Sequence, residues 1–139
     1  MRKEACLSGS GGQGLILAGI ILAEAAGIYD GFEIAQTQSY GPEARGGASK
    51  AEVIISNEKI DYPKIEKPDI LLALTQKACD KYAYNLREDG LLLVDSINVL
   101  NIPSISGSIY RHPITKDATD VLGNQLVANI ISLGILVQL

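Results

Sequence analysis

Thiols and imidazoles are scarce in this sequence. Its 139 residues include two cysteines, Cys6 and Cys79, and a single histidine, His112. Two cysteines so far apart exclude a disulfide framework, a zinc finger and an iron–sulfur cluster held by this chain alone. One histidine leaves little for a His-based metal site, so no metal ligands are expected. Long apolar runs are missing too. No stretch of about 20 residues is apolar enough to span a bilayer. Residues 121–139 are uncharged, but Asn124, Gln125, Asn129, Ser132 and Gln138 interrupt them. No apolar h-region or small-residue cleavage site follows Met1-Arg2-Lys3-Glu4, which argues against a signal peptide and makes the cytoplasm the expected compartment. Nor is there an excess of basic charge. Twelve Lys and Arg against 16 Asp and Glu leave a net charge of −4. Such a chain has no sequence-wide attraction for nucleic acid or an anionic membrane, and neither is expected as a partner.

What remains is a globular composition. Forty-seven percent of the residues are hydrophobic, enough for one core in a chain about one domain long. Glycine is unevenly placed. Of 14 glycines, ten lie between Gly9 and Gly47.

The apolar patterning predicts alternating strands and helices. Residues 4–8 form a short apolar run ending in glycines, as a buried strand does. Residues 13–27 are free of proline and rich in Leu, Ile and Ala, which predicts a helix that is apolar all round. Part of that helix is expected to face a partner chain. Gly19 fits close packing and Gly27 a helix end. Strands are expected at 32–40 and 48–55, with a turn at 41–47 and a proline-containing connector at 57–68. A continuous apolar strand follows at 69–74, and Thr75 is a plausible N-cap for a helix over 76–88. In that helix Cys79, Tyr82, Ala83 and Leu86 share a face, and Gly90 suits its end. A second apolar strand covers 91–94, a further strand 105–110, and a final helix 121–136. Continuous apolar strands separated by helices predict an α/β fold: a Rossmann-like, mostly parallel sheet with helices on both faces, in a single domain.

Gly9-Ser10-Gly11-Gly12-Gln13-Gly14 satisfies G-x-G-x-x-G between a strand and a helix. Glycines there allow positive φ and close approach of the backbone to a ligand. The helix start then offers unpaired N–H groups to a phosphate or carboxylate. A dinucleotide site also wants an acidic residue at the end of the second strand, and Ala35-Gln36-Thr37-Gln38-Ser39 has none. No Lys-Ser or Lys-Thr follows the glycines, so the P-loop reading fails. The competing reading is purely structural: a tight turn into a close-packed helix.

A second cluster reads Ser39-Tyr40-Gly41-Pro42-Glu43-Ala44-Arg45-Gly46-Gly47. Arg45 is the only basic residue between Lys3 and Lys50, and it suits a carboxylate or phosphate. A surface pair with Glu43 is the plainer alternative. Other candidates are weaker. His112 reads as an ordinary strand-end histidine more readily than as a general base. Asp95 and Ser96 end a strand where α/β folds bind ligands, and an Asp there also caps turns. Cys79 reads as a core filler. Gln36 and Gln38 fit an outward-facing strand surface.

Together the two clusters are more specific. Gly-x-Gly-Gly-Gln-Gly at 9–14, an Ala-rich helix at 15–27, Ser-Tyr-Gly-Pro-Glu-x-Arg-Gly-Gly at 39–47 and a strand ending Ile-Ser at 48–56 resemble the gamma subunit of the 2-oxoacid:ferredoxin oxidoreductases. Leu122-Gly123-Asn124 and Ala128-Asn129-Ile130-Ile131-Ser132-Leu133-Gly134 fit as well, so the resemblance covers essentially the whole chain. Ala44 departs from the Met often found there, a change of packing volume only. Family members commonly run on for another few dozen residues, which agrees with the abrupt apolar end and leads to the expectation of a C-terminally truncated gamma-type domain over 1–139.

The resemblance implies an enzyme that oxidatively decarboxylates a 2-oxoacid with coenzyme A, giving acyl-CoA, carbon dioxide and reduced ferredoxin. It implies alpha and beta partner subunits holding thiamine diphosphate and magnesium, and iron–sulfur clusters on the beta and delta parts. The gamma part is implied to serve coenzyme A binding and assembly. A separate gamma chain looks most like the 2-oxoglutarate type. The coenzyme contacts implied here are Gly9, Ser10, Gly11, Gly12, Gln13, Gly14, Tyr40, Arg45, Gly46 and Gly47, with no catalytic residue. Two other classes compete: a stand-alone NAD-type oxidoreductase and a pure assembly module. If isolated, the chain is expected to self-associate through its apolar helices.

Overall fold

A computed structural model describes residues 1–38 and 48–139. The turn expected at 41–47 lies outside the described residues. Six strands form one sheet: β1 (Arg2–Ser10), β2 (Glu33–Gln38), β3 (Ala48–Ser56), β4 (Ile70–Ala73), β5 (Leu91–Asp95) and β6 (Ser108–His112). Their order across the sheet is β2-β3-β1-β4-β5-β6. β1, β4, β5 and β6 pair in parallel, with Leu7 opposite Leu72 and Leu72 opposite Leu93. β3 is antiparallel to both β1 and β2, so it alone runs against the other five. The expected mostly parallel α/β sheet is present, with one reversed strand inserted between β1 and β2.

Helix α1 (Leu15–Glu24) continues into a π-helical turn, Ala25–Tyr29. Helix α2 (Gln76–Tyr82) is followed by a 3-10 turn, Ala83–Asn85. Helix α3 (Ile114–Asp120), a 3-10 turn (Gln125–Val127) and helix α4 (Ala128–Gln138) complete the chain.

The apolar strands are buried on both faces because neighbouring residues point to opposite sides. Cys6, Leu71, Leu92 and Val94 pack under Ala78, Cys79, Ala83 and Leu86 of the α2 region. Leu7, Leu72 and Leu93 pack on the other face under Leu15 and Ala18 of α1, Ile114 and Ala118 of α3, and Ala128 and Leu133 of α4. Helices therefore cover both faces, as expected, and Cys79 is a core filler with no exposed surface.

Several boundaries differ from the sequence reading. β1 is longer than residues 4–8 because its outer residues still find ladder partners on β3, as Arg2 does opposite Ser56. The helix expected over 76–88 stops early. Leu86 turns extended and is buried, and the Arg87 N–H donates to the Pro68 carbonyl at 3.0 Å, a tertiary bond that competes with another helical turn. Thr75 does cap the helix, its Oγ1 accepting from Ala78 N–H at 3.1 Å. The strand expected at 105–110 is shifted to 108–112 by pairing with β5. The helix expected over 121–136 starts later, as a 3-10 turn at Gln125–Val127 and α4 at Ala128–Gln138, and α3 at Ile114–Asp120, set off from it by a break, was not expected. At the break Gly123 has φ 68° and the Asn124 N–H reaches back to Ala118 O at 3.0 Å. Asn124 Oδ1 then accepts from Leu126 N–H at 2.9 Å and starts the next turn.

Helix α1 is apolar all round, yet it is not buried on every side. Leu15, Ala18, Gly19 and Ala23 face the sheet, while Leu17 is 53% exposed and Ile28 beyond it 72% exposed.

Candidate functional site

β1 and β4 are adjacent and parallel, but their helices leave to opposite faces of the sheet. That is a switch point, where open α/β sheets leave a crevice beyond the carboxyl ends of the strands. The glycine loop sits there. Its backbone is fixed from within: Gln13 folds back so that its Oε1 accepts from the Ser10 N–H at 2.7 Å. Gly9 makes this possible, since a Cβ at that position would collide with Gln13 Oε1 and come within 2.9 Å of Leu15 Cδ1.

The other end of the loop is held by α4. Gly14 is the N-cap residue of α1, in left-handed conformation at φ 74°. The buried Asn129 donates from Nδ2 to the Gly14 carbonyl at 3.1 Å. Gly12 is also left-handed, at φ 86°, but a Cβ there would meet nothing within 4 Å. Gly9 and Gly14 are thus packing positions, and Gly12 faces open space.

α1 has no side-chain cap at its amino end, so its first-turn N–H groups are not satisfied from within by a neighbouring side chain. Beside the loop lies a cavity of about 240 Å³, lined by Ser10, Gly11, Gly12 and Gln13 on one side and Thr115, Gln125, Leu126 and Ala128 on the other. The lining offers hydroxyls, amides and backbone N–H groups and carries no titratable side chain. A lining of this kind is suited to hold an anion, toward which the partial positive charge of a helix start is attractive.

Thr115 is placed by Asp95, a carboxylate with no exposed surface at the end of β5. Asp95 Oδ2 accepts from Thr115 Oγ1 at 2.7 Å and from Asn98 Nδ2 at 2.7 Å, and its Oδ1 accepts from Ile97 N–H at 3.3 Å. The capping role of Asp95 is the one observed. His112 ends β6 and pairs through Nε2 with Asp117 Oδ2 at 2.5 Å. It is a strand-end histidine and does not line the cavity. Burial pushes the Cys6 thiol up to about 12, helped by Glu52 and opposed by Lys50, and burial also raises Cys79.

The structure brings together Ser10, Gly11, Gly12 and Gln13 of the expected coenzyme contacts, with Gly9 and Gly14 supporting them from behind. Tyr40, Arg45, Gly46 and Gly47 lie outside the described residues. Sequence reasoning missed Thr115, Gln125, Leu126 and Ala128 as cavity walls. The one signal for them was Asn129, an amide inside an apolar run that needs a buried partner.

The profile of the family described as pyruvate ferredoxin/flavodoxin oxidoreductase matches residues 4–139. The chain belongs to that family. A curated relative, the 2-oxoglutarate synthase subunit KorC of Methanocaldococcus jannaschii, is 53% identical over 141 residues, covering all of this chain and 75% of the relative. The crystal structure of a keto/oxoacid ferredoxin oxidoreductase gamma subunit from Geobacter sulfurreducens superposes with a TM-score of 0.88 at 53% identity, over 99% of this chain and 76% of that one. A 2-oxoglutarate:ferredoxin oxidoreductase from Magnetococcus marinus, with 2-oxoglutarate, coenzyme A and succinyl-CoA bound, shares the fold. There the TM-score is 0.82 at 22% identity, over 96% of this chain and 23% of that one. The pyruvate ferredoxin/flavodoxin oxidoreductase assignment and the gamma-subunit likeness agree with the resemblance carried by residues 9–14 and 39–47. They set aside a self-contained NAD enzyme. No helix among the described residues is long and apolar enough to cross a membrane.

Proposed function

We propose that this chain is the gamma subunit of a 2-oxoglutarate-type oxidoreductase and that its glycine-loop cavity receives the phosphate-bearing part of coenzyme A. The observation that carries the reading is the cavity between Ser10–Gln13 on one side and Thr115, Gln125, Leu126 and Ala128 on the other, formed by the loop that leads into the uncapped start of α1. At about 240 Å³ it is smaller than the usual range for a whole ligand of drug size, so it suits part of the coenzyme. Thiamine diphosphate, magnesium and iron–sulfur clusters belong to the alpha, beta and delta partners, and they supply decarboxylation and electron transfer to ferredoxin. This chain's own residues bind and position. The backbone N–H groups of Gly11, Gly12 and Gly14 face the phosphates, Gln13 holds the loop shut by accepting from the Ser10 N–H, and Arg45 adds the one nearby cation in sequence. Tyr40, Gly46 and Gly47 complete the proposed contact set. The choice of 2-oxoglutarate rests on the KorC relative. Leu17 near the start of α1 and Ile28 beyond its end are exposed and fit a subunit interface, so assembly is the second part of the role.

The test is calorimetric titration of coenzyme A into the assembled complex. Asp tolerates left-handed φ better than most residues, and Gly12 has open space, so Gly12→Asp adds a carboxylate without a clash. The affinity falls at least tenfold in Gly12→Asp and much less in Gly12→Asn. Equal affinity in Gly12→Asp and the unsubstituted complex overturns the assignment of the loop. Unchanged affinity in Arg45→Ala removes Arg45 from the site.

A further inference from the structure

A second cavity lies at the other end of the sheet. It is about 370 Å³ and is lined by Arg2, Glu4, Tyr62, Lys64, Glu66, Lys67 and Arg87. The nine residues of β1 separate it from the glycine loop by about 26 Å at the usual rise per residue. In a chain with 12 basic residues and a net charge of −4, four of the 12 line this one cavity.

The two arginines are held in place by carboxylates that do not use up their hydrogen-bonding capacity. Arg2 donates from Nε to Glu4 Oε1 at 2.8 Å and from Nη2 to the Tyr62 carbonyl at 2.8 Å. Arg87 pairs through Nε with Asp69 Oδ1 at 3.0 Å, and Asp69 Oδ2 in turn accepts from the Glu4 N–H. A guanidinium has five N–H donors, so both keep donors to spare. Among the described residues Lys64 and Lys67 make no ion pair. Positive charge exceeds negative even after Glu4, Glu66 and Asp69 are counted against the four cations.

We propose that this amino-end cavity is a second anion site, for a small ligand carrying a phosphate or diphosphate group. Two preoriented guanidiniums supply the fork geometry that phosphate oxygens match, and two mobile ammoniums close over the charge. Glu66 and Tyr62 are left to hydrogen-bond a hydroxyl on the rest of the ligand. The site has no covalent or redox role.

The experiment is calorimetric titration of pyrophosphate into the full chain and into the Lys64→Gln/Lys67→Gln variant. That variant leaves the Arg2–Glu4 and Arg87–Asp69 pairs intact, and an unchanged melting temperature verifies its fold. Saturable binding is expected, weakening as salt rises, with affinity at least tenfold lower in the glutamine variant and restored by Lys64→Arg/Lys67→Arg. Absence of saturable binding to the unsubstituted chain, or equal binding by the glutamine variant, overturns the proposal.

Discussion

Asn129 donates from its side-chain amide to the carbonyl of Gly14, 115 positions earlier in the chain, at 3.1 Å. The bond ties the last helix to the residue that starts the first one. Asn129 uses its other amide atom locally, Oδ1 accepting from the Ile130 N–H at 2.9 Å. Asn129→Ala removes a buried partner from the Gly14 carbonyl and is expected to cost about 1–3 kcal/mol. Urea unfolding of the two chains measures it. Equal stability within about 0.5 kcal/mol would show that the clamp is dispensable.

A Cβ at Gly19 would lie 3.1 Å from the Cβ of Ala51 and 3.4 Å from Nε2 of Gln36. Helix α1 therefore rests on β3 with no room to spare. Gly19→Ala gains helix propensity of about 0.5–1 kcal/mol but overpacks this contact, so a net loss of roughly 1 kcal/mol is expected. In a double-mutant cycle with Ala51→Gly the two changes couple favourably, by at least about 0.5 kcal/mol. Strict additivity contradicts the contact.

Asp95 sits between two donors from different segments, Asn98 and Thr115. Asp95→Ala leaves the buried Thr115 hydroxyl without its acceptor, while the exposed Asn98 amide can turn to water, and is expected to cost about 1–3 kcal/mol. Because Thr115 lines the cavity, the same change should also weaken coenzyme A binding by the complex, while Asn98→Ala should lower stability with less effect on binding. Thermal unfolding and ligand titration on the same samples separate the two outcomes.

The Cys6 thiol is 3% exposed, and its ionisation is pushed from 9.0 up to about 12, burial first and Glu52 second. Below pH 9 both folded and unfolded chains hold the proton, so Cys6 leaves stability independent of pH there. Between about 9 and 12 the unfolded thiol ionises and the folded one does not. Stability then falls with rising pH by up to about 1.4 kcal/mol per unit from this group alone. Cys6→Ala flattens that part of the curve. At pH 8 the folded chain should also leave both buried cysteines unlabelled by a thiol reagent, with labelling appearing only on unfolding. Rapid labelling of the folded chain contradicts the burial.

The glycine loop was legible because strand, turn and helix are local and adjacent: residues 5–7 are apolar, residues 9–14 hold four glycines, and residues 15–23 are apolar again. Its opposite wall was not. Thr115, Gln125, Leu126 and Ala128 arrive through a chain that first crosses from β5 to β6, and nothing in their own spacing points to Ser10. The direction of β3 was equally hidden, since an apolar stretch such as Val53-Ile54-Ile55 reads the same whichever way it pairs. The break between α3 and α4 was visible only as Gly123-Asn124, a helix stop placed inside a segment whose apolar content favoured continuity. The burial of Cys79 was readable from helical periodicity, and Ala83 and Leu86 join the same core even though α2 ends before them.

Hydrogen–deuterium exchange of the assembled complex, with and without saturating coenzyme A, tests the glycine loop most directly. If the loop holds the phosphates, amides in the peptide spanning residues 9–17 are protected on binding, and Gly12→Asp abolishes the protection. If coenzyme A binds with full affinity while that peptide exchanges as it does in the free complex, the loop is a packing device and the coenzyme is held elsewhere.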